Sequence, residues 1–201
     1  MIQLSHPLIF IRHGQTDWNK EGRLQGGQDI PINETGTWQA TRNGRRLKGV
    51  FEDEAFKLED FTFVASPLGR CIRTMGLVRQ GLDLDPDAGF ERDDRLREIT
   101  FGQWEGKTFD DLQALDPQAV TEREADKWGF VPPDGESYQM LSQRMKPWLE
   151  SLDRPTVAVS HGGVSRAVRG LLFDLESDEI PRLDVPQDKI YLVQDGQGFW
   201  L

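Results

Sequence analysis

The sequence predicts an α/β fold, a three-layer sandwich in which helices cover both faces of a mostly parallel central sheet. Two short apolar runs, at 8–11 and 156–159, contain β-branched residues and stop shortly before a glycine, which is typical of strands buried on both faces. The run at 61–65 has the same character. Because a helix-like segment follows each of the three runs, the order of elements favours parallel pairing.

The other elements are assigned from local start and stop signals. A glycine-rich loop covers 22–36, and Pro67 stands where a helix can begin, because its missing amide hydrogen is not needed there. Pro147 predicts a kink or a break in its helix. A short strand is predicted at 96–99, and a hairpin around Asp195-Gly196 is expected to close the sheet. The predicted helices span 35–47, 68–81, 108–115, 137–151 and 162–173, and the hairpin strands span 190–194 and 198–201.

Length, charge and cysteine content limit the class of protein. The 201 residues fit a single domain, 1–201. The sequence has no apolar stretch of membrane-spanning length and does not begin like a signal peptide, so a soluble cytoplasmic protein is expected. The single cysteine, Cys71, suits a reducing compartment and is expected to be buried in a helix. The formal net charge of -10 argues against nucleic acid and anionic membranes as partners. The sequence leaves open whether the protein is a monomer or a homodimer.

Two of the three histidines occupy the same local setting, an apolar run followed by one polar residue and then His-Gly. These are His13 and His161, and ligands of open α/β sheets bind beyond the carboxyl ends of such strands. Arg12 precedes the first histidine, and Arg70 lies in the first turn of the helix after the 61–65 run. Arginine beside a helix start strengthens an anion site. Together these residues indicate phosphate as the ligand.

These residues resemble those of the histidine phosphatase superfamily, also called the phosphoglycerate mutase-like family. The resemblance extends over nearly the whole chain, and its motifs are Arg12-His13-Gly14 with Asn19, the segment 66–74, Leu96-Arg97-Glu98, and Ser160-His161-Gly162. It implies one domain of this family, with a small cap at about 100–140 over the carboxyl ends of the strands.

The resemblance also implies a phosphomonoesterase that acts on a small phosphorylated metabolite without metal or cofactor. His13 would form a phosphohistidine, and Glu98 would give a proton to the leaving oxygen and later take one from water. The phosphate oxygens would be held by Arg12, Asn19, Arg70, His161 and Gly162. The other role open to Glu98 is a salt bridge to Arg95 or Arg97. No metal-ligand set is apparent, and Arg12 is a poor neighbour for a zinc-binding histidine.

The chain length between Glu98 and His161 separates the members of this family. Mutases of the family carry a long insertion there, which closes over a bisphosphate intermediate, whereas this chain has a short one. A shorter cap admits water, which favours hydrolysis over transfer. The alternatives are a cofactor-dependent phosphoglycerate mutase and a non-catalytic relative that only binds a phosphorylated ligand. A pure binder needs neither a nucleophile nor a proton donor, so His13 and Glu98 favour an enzyme.

The sequence offers several candidate residues for the substrate mouth and more than one role for them. Its candidate residues are Arg23, Trp104, Phe109, Arg123 and Lys127. Arg123 and Lys127 fall where basic residues of the fructose-2,6-bisphosphatase domain grip a sugar phosphate, but Phe109 replaces the tyrosine of that domain and Val131 one of its cations. The rings of Trp104, Phe109, Trp128 and Phe130 would either line a mouth for an apolar leaving group such as ribazole phosphate or pack a small subdomain. A sugar phosphate, a phosphoglycerate derivative and ribazole phosphate all remain candidate substrates.

Overall fold

The computed structural model describes residues 2–53 and 56–201. Within this part of the chain, six strands form one sheet in the order β3-β2-β4-β1-β5-β6. The strands are β1 (Leu8–Arg12), β2 (Thr62–Ala65), β3 (Glu91–Arg92), β4 (Thr156–Ser160), β5 (Ile190–Gln194) and β6 (Gln197–Trp200). The pairs among β1, β2, β3 and β4 are parallel, whereas β5 pairs antiparallel with β1 and β6. The prediction of a mostly parallel sheet is confirmed.

Seven helices pack around the sheet in the described part of the chain. Their bounds are α1 (Asp17–Glu21), α2 (Glu34–Glu52), α3 (Gly69–Gly81), α4 (Phe109–Leu115), α5 (Pro117–Ala125), α6 (Tyr138–Glu150) and α7 (Gly162–Phe173). The sequence did not predict α1 and α5, although Asp116 and Pro117 carry a start signal for α5, with the Asp116 side chain accepting from the amide of Ala119. α2 starts one residue before and ends five residues after its predicted bounds of 35–47.

The sheet separates two apolar cores, which confirms the three layers. Leu8 and Phe10 of β1 belong to the core under α6 and α7, whereas Ile9 and Ile11 belong to the core under α2 and α3. The alternation follows from the two-residue period of a strand. Cys71 lies in the second core with no exposed surface, as predicted.

The predicted strand at 96–99 is wrong. Residues Asp94–Leu96 form a 3₁₀ turn, and the edge strand lies earlier, at Glu91–Arg92. The turn is favoured because the carboxylate of Asp93 accepts a hydrogen bond from the amide of Arg95. Ser160 then binds the carbonyl of Leu96 through its hydroxyl, so this carbonyl does not need a strand partner.

The predicted break at Pro147 does not occur, because α6 runs continuously from Tyr138 to Glu150. Pro147 and the residue four positions before it, Gln143, are both exposed. Water can therefore satisfy the carbonyl that the proline leaves without a donor. The predicted turn at Asp195-Gly196 is confirmed, and both residues have positive φ angles, 51° and 72°.

The segment from 100 to 140 contains α4 and α5 and has a small apolar cluster of its own. Trp104, Leu112 and Val120 are buried at its centre. The segment is joined to the loop after α1 by main-chain hydrogen bonds between Leu24 and residues Gly106 and Lys107. Because that loop follows β1, this segment lies near the carboxyl edge of the sheet. None of the described helices combines the length and the apolar character needed to cross a membrane.

Candidate active site

Two histidines meet at the carboxyl edge of the sheet. Because Arg12 on β1 pairs in register with Ser160 on β4, His13 and His161 leave adjacent strands at the same level. Their ring centroids lie 5.2 Å apart, and the ring planes make an angle of 64°. Both side chains are buried. The structure therefore brings the two predicted histidines into one site.

A main-chain carbonyl fixes the proton on the ring of His13. The Nδ1 atom lies 2.8 Å from the carbonyl oxygen of Gly14. A carbonyl can only accept, so Nδ1 carries the hydrogen and Nε2 keeps its lone pair. Burial lowers the pKa of His13 well below its ordinary value, and the charges of Arg70 and Arg12 lower it further. At neutral pH this side chain is an uncharged imidazole with a nucleophilic nitrogen.

His161 is also neutral, in the other tautomer. Arg70 donates from Nε to the Nδ1 atom of His161 over 3.3 Å. A guanidinium only donates, so Nε2 of His161 carries the hydrogen and donates it to the hydroxyl of Ser66 over 2.8 Å. Burial lowers the pKa of His161 well below its ordinary value, and the charge of Arg70 adds to this effect. The thiol of Cys71 lies 3.4 Å from Nε2, but burial raises the pKa of this thiol, which disfavours the reactive thiolate.

Both imidazoles are expected to stay neutral at pH 6.5 in the folded protein, which a ¹⁵N NMR titration of the ring nitrogens measures. Since the unfolded chain binds protons at these rings near pH 6.5 and the folded chain does not, the free energy of unfolding should fall as pH drops below about 6.5. Denaturant titrations at pH 7.5 and 5.5 measure that loss. Half-protonation of His13 and His161 near pH 6.5 in the folded protein would contradict the prediction.

Arg70 is held between His161 and a loop. Its side chain has no exposed surface. Nη1 donates to the carbonyl of Gln28 over 2.5 Å, and Nη2 donates to that of Gly26 over 2.8 Å. The carboxylate of Asp29 accepts from the amide of Gly69 at the start of α3. Each Nη atom carries a second hydrogen that these bonds do not use, so Arg70 can still donate to an anion.

Arg12 presents a buried donor with no partner. Nη1 donates to the carbonyl of Val185 over 2.7 Å. Nε is buried and has no hydrogen-bond partner among the described residues. It lies beside Gly162 at the start of α7, where a Cβ atom would come within 3.4 Å of Nε. Burial lowers the pKa of Arg12 to about 10, so the group stays charged at neutral pH. A charged donor without a partner, next to a helix N-terminus, fits an anionic ligand.

Glu98 is fixed against the same helix. Its Oε1 atom accepts from the amide of Gly163 over 3.0 Å. A Cβ atom on Gly163 would lie 2.6 Å from this oxygen and 2.8 Å from Cγ2 of Ile99, so a larger residue here would displace the carboxylate. The alternative salt bridge does not form in the described part of the chain, because both candidate arginines pair with aspartates, Arg95 with Asp93 and Arg97 with Asp94.

The residues predicted to line a substrate mouth do not act as one group. Trp104 is buried in the small cluster of the 100–140 segment, which favours packing over substrate contact for this ring. Arg23 donates to Glu21 and Gly106, and Lys127 pairs with Glu124. Phe109 remains exposed, with the guanidinium of Arg123 stacked 4.7 Å from its ring centroid. Of the predicted rings, Trp128 packs against the core under α6 and α7, and Phe130 packs beside Trp104.

Two polar residues near the site were not predicted. Arg166 on α7 donates to the carbonyl of Leu183 over 2.7 Å and lies 3.4 Å from the hydroxyl of Tyr138. Its charge acts on the pKa values of Arg12, Tyr138 and Arg123. An arginine five positions after His161 in an apolar helix was the available signal. Gln187 donates to the carbonyl of His13 over 2.9 Å, and no local pattern marks it.

The described residues contain no group of three or more histidine, cysteine, aspartate or glutamate side chains that could hold a metal ion.

The fold and the paired histidines define a known class. The sequence profile of the histidine phosphatase superfamily (branch 1) matches residues 8–200, and the chain belongs to this family. Among its relatives, a glucosyl-3-phosphoglycerate phosphatase of Mycobacterium tuberculosis is 32% identical over 192 residues, which cover 88% of this chain and 79% of that protein. The family and fold predicted from the sequence are confirmed.

Two further comparisons extend this result. A Caenorhabditis elegans 6-phosphofructo-2-kinase/fructose-2,6-bisphosphatase is 30% identical over 185 residues, covering 91% of this chain. The chain spans only 37% of the length of that relative. The solved structure of a mycobacterial glucosyl-3-phosphoglycerate phosphatase complexed with VO3 has a TM-score of 0.77 and 28% identity, covering 97% of this chain and 96% of that one.

Proposed function

We propose that this protein is a phosphomonoesterase that hydrolyses a small phosphorylated metabolite through a phosphohistidine on His13. The observation that carries the proposal is the state of His13, a neutral ring whose Nδ1 hydrogen is bound to Gly14. Its free Nε2 stands beside the two positive charges of Arg12 and Arg70, which lower its pKa. This combination supplies a nucleophile and an anion site at one sheet edge.

The first step forms the phosphohistidine. The lone pair of His13 Nε2 attacks phosphorus, the bond from phosphorus to the ester oxygen breaks, and Glu98 gives its proton to that oxygen. Arg12 donates from its unpartnered Nε, and Arg70 from its spare Nη hydrogens, to the oxygens of the transferring group. The amide of Gly162 at the start of α7 adds a further donor.

The second step releases phosphate. A water molecule attacks phosphorus, Glu98 takes one of its protons, and the bond from phosphorus to Nε2 breaks with its electron pair returning to His13. Asn19 and His161 complete the proposed phosphate site. In the structure both ring nitrogens of His161 are engaged, by Arg70 and Ser66. His161 therefore orients Arg70 before the phosphate arrives. It can donate a hydrogen bond to the phosphate only after its Nε2 hydrogen has left the hydroxyl of Ser66.

The polar rim of the site favours a substrate with a second negative group. Arg166 lies 3.4 Å from the hydroxyl of Tyr138, and the charge of Arg123, which pairs with Glu124, also acts on the pKa of this hydroxyl. A carboxylate or a second phosphate matches this pair of cations. The burial of Trp104 removes one ring from the alternative apolar mouth. We therefore favour a sugar phosphate or a phosphoglycerate derivative over ribazole phosphate.

We infer that the chain acts as a single domain, 1–201, in which the 100–140 segment is the cap. A net charge of -10 supports a small substrate over nucleic acid. A single buried cysteine supports a reducing, cytoplasmic location.

Release of inorganic phosphate is expected from a panel of phosphorylated metabolites and from a generic aryl phosphate, without added metal. The panel should include monoesters with and without a second anionic group, and the doubly charged ones should have the higher kcat/KM. The activity should persist in EDTA, because the proposed steps use only side chains of this chain. Activity that disappears with chelator and returns with zinc or magnesium would refute the metal-independent mechanism.

The same assay separates a phosphatase from a mutase. With 3-phosphoglycerate and catalytic 2,3-bisphosphoglycerate, free phosphate should form at least about a hundredfold faster than 2-phosphoglycerate, a difference of about 2.7 kcal/mol in barrier height. Isomer that forms faster than phosphate would establish the mutase. Phosphate binding without turnover of any panel member would establish a binding protein.

A further inference from the structure

The 183–188 segment, between α7 and β5, crosses the edge of the site and is fastened by side chains. Arg12 donates to the carbonyl of Val185, and Arg166 to that of Leu183. Asn43 donates to the carbonyl of Gln187 over 3.1 Å. The side chain of Gln187 points back to the site, where its Nε2 atom donates to the carbonyl of His13 over 2.9 Å and to Oδ1 of Asn19 over 3.1 Å.

The side-chain amides of Asn19, Gln25 and Gln187 form a hydrogen-bonded network, and main-chain groups determine the orientation of each amide. The amide of Thr16 can only donate, and it donates to Oδ1 of Asn19. The carbonyl of His13 can only accept, which requires the Nε2 end of Gln187 to face it. At the far end, the carbonyl of Ile30 accepts from Nε2 of Gln25, so Oε1 of Gln25 faces Asn19. All three side-chain amides therefore have one consistent orientation.

This network fixes the orientation of the side-chain amide of Asn19, a residue of the proposed phosphate site. Two donors hold its Oδ1 atom, from Thr16 and Gln187. Its Nδ2 atom uses one hydrogen on Gln25 and keeps the other. Rotation of the amide by half a turn would instead present an oxygen, which repels phosphate. Without Gln187, Oδ1 would lose one of its two donors, and only Thr16 and Gln25 would oppose that rotation.

We propose that Gln187 is a positioning residue, which orients the amide of Asn19 so that its unused Nδ2 hydrogen faces the substrate phosphate. This inference rests on the proposed function, since it assigns a purpose to the orientation of the phosphate site. Gln187 acts through Asn19 and does not itself contact the phosphate.

The test is a double-mutant cycle. Gln187→Met keeps the length of the side chain and removes both donated hydrogen bonds, and it is combined with Asn19→Ala. Each single variant is expected to lower kcat/KM for an aryl phosphate about tenfold. The double variant should stay close to Asn19→Ala alone, because Gln187 has no amide left to orient. Effects that multiply to about a hundredfold would show a merely structural role and overturn the proposal, as would a Gln187→Met activity within twofold of wild type.

Arg42→Ala is the matched control. Arg42 binds the carbonyl and carboxylate of Asp188 on the same segment but takes no part in the amide network. This variant should keep kcat/KM within twofold of wild type. A tenfold loss there would mean that loosening of the segment, and not amide orientation, explains the effect of Gln187→Met, and would overturn the proposal. Melting temperatures of all variants report loss of folding separately.

Vanadate affinity, measured by calorimetry, separates this proposal from the proposed function. If the wild type binds vanadate but hydrolyses no phosphomonoester, the proposed function fails. The double-mutant cycle is then evaluated from the dissociation constants of vanadate in place of kcat/KM. Gln187→Met should then weaken vanadate binding about tenfold in the wild type and within twofold in Asn19→Ala. Equal losses in both backgrounds would overturn the positioning role. If the wild type does not bind vanadate, both proposals fail.

Discussion

His13→Ala is expected to lower kcat by about 10⁴-fold or more, a loss of at least about 5.4 kcal/mol of transition-state stabilisation. The substitution removes the nitrogen that forms the covalent bond to phosphorus, and both ring nitrogens of the neighbouring His161 are engaged, by Arg70 and Ser66. Cys71 cannot replace it, because burial raises the pKa of its thiol. Steady-state rates with an aryl phosphate measure the loss. Quenching of the wild type with ³²P-labelled substrate in an alkaline denaturant should trap a phosphoprotein that later loses its label in acid, and His13→Ala should lack it.

The third histidine of the chain provides the control. His6 is exposed and precedes β1, so His6→Ala should keep the rate and the labelling of the wild type. Because His13 is buried, thermal unfolding of both variants must show that the fold is retained. A folded His13→Ala variant with near-normal turnover, or one that still forms the labelled intermediate, would show that another residue is the nucleophile.

The parts of the fold that could be predicted are those with strong local signals. The stretches 8–11 of β1 and 157–159 of β4 are apolar because both faces of each strand are buried, and a glycine follows each histidine. Parallel pairing in register then places His13 and His161 at one edge. The motif around Glu98 could be recognised, but its local structure could not. An aspartate cap and a hydrogen bond from Ser160 select a 3₁₀ turn over a strand at that position.

The network around Asn19 could not be predicted, because its partners are distant in sequence. Gln187 contacts a residue 168 positions away, and a single glutamine in a loop carries no periodic or motif signal. The residues that line the substrate mouth could not be predicted for a different reason. An aromatic residue such as Trp104 looks the same in the sequence whether it packs a cluster or contacts a ligand. The structure separates these two roles, because the side chain of Trp104 is only 4% exposed.

The proposed role of Glu98 in proton transfer can be tested by comparing substrates with good and poor leaving groups, because the geometry of Glu98 allows a conservative substitution. The carboxylate accepts from the amide of Gly163 beside Gly162, so a glutamine can keep the same acceptor bond through its carbonyl oxygen. Glutamine cannot transfer a proton. Glu98→Gln therefore separates proton transfer from the packing and binding contributions of the side chain, and its vanadate affinity should stay within a few-fold of wild type.

Glu98→Gln is expected to lower kcat/KM for an alkyl phosphate by about 10²-fold to 10³-fold, within the range of general acid catalysis. An alkoxide is a poor leaving group and needs the proton, whereas nitrophenolate leaves without one. For nitrophenyl phosphate, kcat/KM should therefore fall less than about tenfold. Hydrolysis of the phosphohistidine still needs a base to activate water, so nitrophenol should appear in a burst equal to the enzyme concentration, followed by a slow steady state. Equal losses for both substrates with no burst would remove Glu98 from both proton transfers and assign them to another group.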